Sequence, residues 1–179
     1  MNLLRLLAVF FRVNLMSELA YRVNFFWQVF QSLLSLVMSL AGLAVVFSYT
    51  NALGGWRPDE VLVLVGVYFL IGGMIGVVIQ PGMGQLVESV RGGTLDFLLT
   101  KPEDAQLIVS IHRIEVWQFT DIVLGLGVLA TALLRLGETV GGWEAAGFIL
   151  MLVAGGVIIY SFFLVLATLS FWFVRVENI

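Results

Sequence analysis

Four long apolar runs constrain this chain more than any other feature. They cover about 25–49, 61–79, 117–134 and 145–173. About 20 apolar residues in a helix cross the hydrocarbon core of a bilayer. Only 12% of the 179 residues are charged, whereas soluble domains carry about 25%. The sequence therefore predicts four membrane spans.

Helices are the expected element in each run, because lipid leaves every backbone amide to be satisfied within its own segment. A membrane β-barrel would show alternating strands of about ten residues, and these runs do not alternate. We predict an all-α fold, a polytopic transmembrane helical bundle that forms one domain over residues 1–179.

Residues 1–23 mix apolar and charged side chains. Leu3, Leu7 and Phe10 offer an apolar side, while Arg5 and Arg12 oppose insertion. This pattern predicts a helix lying at the membrane interface. The alternative is that the segment extends the first span.

Positive charges are distributed unevenly between the two sides of the predicted membrane. One side holds seven of the nine Lys and Arg residues: Arg5, Arg12, Arg22, Arg91, Lys101, Arg113 and Arg175. The other side holds Arg57 and Arg135. Loops rich in Lys and Arg stay in the cytoplasm, so both ends and the middle loop are expected there.

The first span carries a polar face at helical spacing. Its members are Gln28, Gln31, Ser32, Ser35 and Ser39. Such a face turns away from lipid, either to pack against other helices or to line a translocation path. We favour packing. Gly72 and Gly76 in the second span form a GxxxG pattern that also predicts close helix packing.

The polar segment at about 84–116, between the second and third spans, has its own pattern. Residues 84–91 predict a short amphipathic helix, and Gly92-Gly93 would end it. Thr94 can cap a second short helix with Asp96 in its first turn, and Pro102 would stop that helix. The pattern predicts a compact cytoplasmic segment of short helices.

Catalytic patterns are sparse. The chain has no cysteine, one histidine (His112) and one lysine (Lys101), which is followed by proline. A P-loop needs a lysine followed by serine or threonine, and this sequence has none. It also contains no cluster of metal-ligand residues at ligand spacing. The fingerprint-like Gly125-x-Gly127-x-x-Ala130 lies inside an apolar run with no preceding strand, so it does not predict nucleotide binding. We predict that the chain is not an enzyme and binds no nucleic acid.

The sequence from Arg91 to Pro102 resembles the R-x-G-x-L-D-x-x-L-x-x-P signature of ATP-binding-cassette (ABC) transporter permeases of the type-2 exporter class. More narrowly, the chain is similar to the small bacterial permeases of six spans. The resemblance implies that the segment is a coupling helix resting on a separate ATPase subunit. The positions it assigns to that contact are Glu88, Arg91, Gly92, Gly93, Thr94, Leu95, Asp96, Leu99 and Pro102.

The resemblance also implies the surroundings of the chain. No cofactor is expected in this chain, because ATP and Mg would be bound by the partner ATPase. A homodimer or a sister permease, contact with membrane lipid, and a place in the bacterial cell membrane are further expectations. With four predicted spans instead of six, the chain corresponds to a permease truncated after the fourth span.

Two other functions stay open from the residues. An ATP-independent secondary transporter or channel would use Asp121 and the polar face of the first span. A non-transporting membrane scaffold would use the small-residue faces alone. The transported substrate and the direction of transport are not encoded in any recognisable motif.

Overall fold

The structure, a computed structural model, describes residues 22–93, 115–137 and 140–173. Most of these residues lie in five α-helices: α1 (Arg22–Tyr49), α2 (Pro58–Met74), α3 (Gln80–Arg91), α4 (Phe119–Leu136) and α5 (Gly142–Phe173). A π-helical turn, Ile75–Ile79, joins α2 to α3, and a 3₁₀ turn, Val116–Gln118, precedes α4. Within the described ranges the β-structure is limited to one bridged pair, Leu53 and Trp56. The predicted all-α class is confirmed.

Four helical stretches in the described residues are long and apolar enough to cross a membrane: Val23–Tyr49, Pro58–Arg91, Val116–Leu136 and Gly142–Leu169. The second differs from its predicted bounds. The apolar run ends near Ile79, but the helix continues to Arg91 through polar residues such as Gln80 and Gln85. The N-terminal interfacial helix was predicted over residues 1–23, of which 1–21 lie outside the described residues.

Two helices begin with the same local cap. The backbone N–H of Arg57 donates to Glu60 Oε2 at 2.8 Å, and that of Gly141 donates to Glu144 Oε2 at 2.8 Å. A glutamate three residues into a helix satisfies an amide that would otherwise lack a partner there. Arg57 also forms an ion pair with Glu60, with Nη2 and Oε1 3.2 Å apart. These caps set the starts of α2 and α5.

A tight turn precedes the cap of α2. Leu53 and Trp56 exchange two backbone hydrogen bonds of 2.9 and 3.0 Å. Between them, Gly54 and Gly55 have φ values of 60° and 92°. Positive φ at both central residues is typical of a two-residue hairpin turn, and glycine takes it without steric cost.

The described residues divide into two compact units. In the first unit, which comprises 22–74, 117–137 and 140–152, glycines bring α2 and α4 into backbone contact. A Cβ on Gly125 would lie 2.7 Å from Leu70 N and 2.8 Å from Gly66 O. A Cβ on Gly73 would lie 2.9 Å from Ile122 N. Buried Phe69, Leu70, Val128 and Ala132 lie on the same two helices.

Gly72, one of the two glycines predicted to pack closely, does not make this contact. Gly72 is exposed, and a Cβ there would meet nothing within 4 Å. The close approach involves Gly66 and Gly73 instead, seven residues apart and thus on one side of α2. Gly76, the other glycine of the predicted GxxxG pattern, is buried. The pattern alone does not reveal which of its glycines faces a neighbouring helix.

The second unit comprises the described residues 75–93, 115–116 and 153–173. Its buried core is formed by three residues: Ile79 just before α3, Met83 on α3, and Ala167 on α5. Partly buried side chains surround this core: Ile75, Leu86, Val87, Ile159, Tyr160, Phe163 and Leu164. The apolar side of α3 is therefore held against the second half of α5.

Candidate functional site

The helix α3 presents two different sides within the second unit. Pro81, Met83 and Ser89 are buried, whereas Glu88 and Arg91 are exposed. Arg91 also lies in the last turn, where the negative end of the helix dipole stabilises a positive charge. The packed side fixes the helix, and its charged end remains open to a partner.

Two glycines end α3. The Gly92 N–H donates to Glu88 O at 2.8 Å, and the Gly93 N–H donates to Val90 O at 3.3 Å. Gly93 has a φ of 65°, which L-residues with a side chain rarely adopt. The predicted helix end at Gly92-Gly93 is confirmed, although the helix begins at Gln80 rather than at Gly84.

A proline and a distant amide meet at the start of α3. Pro81 has no N–H to donate to the carbonyl four residues earlier, which belongs to Val77. That carbonyl accepts a hydrogen bond of 3.2 Å from the N–H of Glu115. Inside a membrane a backbone group freed by proline must find another partner. Here the partner is the backbone N–H of Glu115, the residue that leads into α4.

This hydrogen bond defines where the chain returns after α3. Arg91 lies 14 residues beyond Val77, and a helix rises about 1.5 Å per residue, so the two ends are roughly 20 Å apart along the helix. The chain leaves at Gly93 and is again beside the helix at Glu115. Val77 belongs to the π turn Ile75–Ile79. Such turns are frequent at functional sites.

The predicted polar face of α1 is only partly buried within the chain. Ser32 is buried and Gln28 and Ser39 are half-buried, whereas Gln31 and Ser35 are exposed. The Ser39 hydroxyl donates to Ser35 O at 2.9 Å, so its own helix satisfies it. Their spacing along α1 brings these residues to one side of the helix.

Asp121 lies in the first turn of α4, where the helix dipole favours a negative charge. Its Oδ1 is buried and has no hydrogen-bond partner in the described part of the chain. The same described residues contain no group of three His, Cys, Asp or Glu side chains that could hold a metal ion.

Residues 33–179 match the family model described as ABC-2 family transporter protein. The chain belongs to this ABC-2 family. No curated protein and no solved structure matches it.

Proteins of the ABC-2 family are membrane components of ABC transporters. The chain is therefore the permease component of such a transporter, and the four apolar helices among its described residues make it a multi-pass membrane protein. The family also implies an ABC ATPase as partner.

The residues predicted for contact with that ATPase divide into two groups. Glu88, Arg91, Gly92 and Gly93 lie together at the end of α3. The others, Thr94, Leu95, Asp96, Leu99 and Pro102, lie outside the described residues, so their role stays a prediction. The sequence patterns did not predict a role for Pro81, Val77 and Glu115, although a proline just after an apolar run is a signal of a freed carbonyl.

Proposed function

We propose that this ABC-2 permease couples ATP hydrolysis by a separate ATPase subunit to export of a substrate across the membrane. ATP and Mg are bound by that subunit, and the permease contributes no cofactor site. The contact surface consists of Glu88, Arg91, Gly92 and Gly93 at the end of α3 and, further along the chain, Thr94, Leu95, Asp96, Leu99 and Pro102.

The observation that carries the proposal is the two-sided nature of α3. Its buried Met83 packs with Ala167 of α5, and its start is next to the Val77–Glu115 hydrogen bond. A force applied at exposed Glu88 and Arg91 therefore reaches α5 and the residue that leads into α4. Packed interfaces switch between discrete arrangements rather than deforming continuously, which suits a helix that transmits ATP-driven movement.

Co-purification from native membranes tests the contact. Arg91→Glu reverses a charge at the proposed surface, and we expect at least a tenfold loss of the recovered ATPase, in the range for truncating a charged interface pair. Asp96→Arg and Leu95→Asp should act in the same way. Arg57→Glu is the matched control, since Arg57 is also exposed but lies before α2.

Two outcomes would contradict the proposal. If the Arg91→Glu, Asp96→Arg and Leu95→Asp chains all retain the ATPase as well as the unaltered chain does, the contact lies elsewhere. If no ATPase is recovered with the unaltered chain in mild detergent, the coupling proposal itself fails.

We also propose that the permease pairs with a second copy or a sister permease in the bacterial cell membrane, with both ends in the cytoplasm. Large apolar side chains on α1 and α5 support this assembly, because Phe26, Met38, Ile149, Met151 and Phe162 are exposed in the single chain. Lipid and a second permease are the two surfaces that would cover them.

A further inference from the structure

A cavity of about 400 Å³ lies in the first unit, among the end of α1, the start of α2 and the end of α4. Ligand pockets usually measure about 300–1,000 Å³. Its wall on α1 is apolar and includes Leu40, Ala44 and Phe47. From Leu40 to Phe47 that wall extends roughly 10 Å along the helix. The cavity is large enough for part of an amphiphilic molecule.

Two opposite charges line the same cavity. Asp59 lies in the first turn of α2 and Arg135 in the last turn of α4. Among the residues that the structure describes, the one ion pair joins Arg57 to Glu60. Asp59 and Arg135 are therefore not paired with each other, although they face one space. Each lies at the helix end whose dipole favours its charge.

The side chains that line the cavity favour some classes of ligand over others. A purely apolar chain would leave Asp59, which is half-buried, and Arg135, which is exposed, without a partner in this space. An anion alone would meet the Asp59 carboxylate, and a cation alone would meet the Arg135 guanidinium. Thr131 also lines the cavity, and its hydroxyl donates to Val128 O at 2.8 Å. Its oxygen can still accept a hydrogen bond.

We propose that this cavity binds a zwitterionic phospholipid with a primary ammonium headgroup. The guanidinium of Arg135 takes the phosphate, for which its planar fork is suited. The ammonium donates to Asp59 and Thr131, which are both acceptors, and a trimethylammonium group could not donate there. The start of an acyl chain lies along Leu40, Ala44 and Phe47. This binding goes beyond the proposed function, since it requires neither an ATPase nor transport.

Native mass spectrometry of the purified full chain tests the site, with dihexanoyl phosphatidylethanolamine as the probe. We expect it to bind about tenfold more tightly than the choline or glycerol analogue, the scale of one charge-assisted hydrogen bond. Asp59→Asn and Arg135→Gln should each weaken binding about tenfold for the same reason. The matched controls, Glu60→Gln and Arg57→Gln, alter neighbouring charges that do not line the cavity, and their affinity should not change.

A second pair of variants tests the volume of the site without changing charge. Ala44→Leu fills the cavity and should weaken binding, whereas Ala41→Leu on the same helix does not line it and should not. Equal binding of the three lipids, or no effect of Asp59→Asn, Arg135→Gln and Ala44→Leu, would overturn the proposal. Tight binding of the glycerol lipid that only Arg135→Gln weakens would also overturn it, because the site would then bind anions. If the charge variants fail to fold by size-exclusion chromatography, the Ala44 and Ala41 pair decides.

Discussion

At the scale of single residues, the glycines of α2 and α4 in this permease differ in whether they pack against a neighbouring helix. On α2 and α4, Gly66, Gly73 and Gly125 allow backbones to approach where a Cβ would collide with main-chain atoms. Gly127, two residues after Gly125, faces open space. The Gly125-x-Gly127-x-x-Ala130 pattern lies within α4, and only its first glycine packs against α2.

This contrast yields a matched pair of variants. Gly125→Ala would place its Cβ 2.7 Å from Leu70 N, and we expect a loss of about 1–3 kcal/mol, as for other overpacked sites. Gly127→Ala should be neutral or gain up to about 1 kcal/mol, because alanine is the better helix former. Thermal unfolding in detergent measures both. Equal midpoints for the two variants would show that α2 and α4 can separate without cost.

At the scale of elements, the positions of the four apolar helices follow from sequence, but the continuation of the second to Arg91 and the π turn within it do not. Apolar length predicts where four helices lie, since lipid imposes one solution on each run. The end of α3 at Gly92-Gly93 is also predictable, because glycine closes a helix locally. The Val77–Glu115 hydrogen bond joins residues 38 positions apart. No local pattern encodes such a partner, so this part of the candidate site required the three-dimensional structure.

Pro81 offers a test of that hydrogen bond. Pro81→Ala adds an N–H that can donate to Val77 O and compete with Glu115. In a chain carrying Val77→Cys and Glu115→Cys, we expect the yield of a short bis-maleimide cross-link to fall roughly two- to threefold, as for competition between similar hydrogen bonds. The chain has no cysteine of its own to interfere.

The control for this experiment lies on the same helix. Gly84 is exposed and a Cβ there meets nothing within 4 Å, so Gly84→Ala should leave the yield unchanged. An unchanged yield in Pro81→Ala as well would mean that the freed carbonyl does not hold Glu115 in place.

At the scale of the whole molecule, the proposed orientation makes a prediction about access. Single cysteines at Ala52, before α2, and at Glu88, on the exposed side of α3, should react from opposite sides of the membrane. A membrane-impermeant maleimide added to intact cells should label Ala52→Cys at least tenfold more than Glu88→Cys, since seven of the nine Lys and Arg residues mark the cytoplasmic side. Opening the cells should expose Glu88→Cys.

The unaltered chain, which has no thiol to label, is the blank for these measurements. Stronger labelling of Glu88→Cys than of Ala52→Cys on intact cells would contradict the proposed orientation. It would leave the membership of the ABC-2 family untouched, because that rests on the match over residues 33–179.

In the proposed orientation, the two-glycine turn between Leu53 and Trp56 faces proteases outside the cell. A protease must draw several residues of extended chain into its cleft, and ordered backbone resists this unless it first opens. The turn is closed by two hydrogen bonds and is followed within a few residues by the capped start of α2. Enzymes that shave exposed loops from intact cells should therefore leave the connection between α1 and α2 uncut.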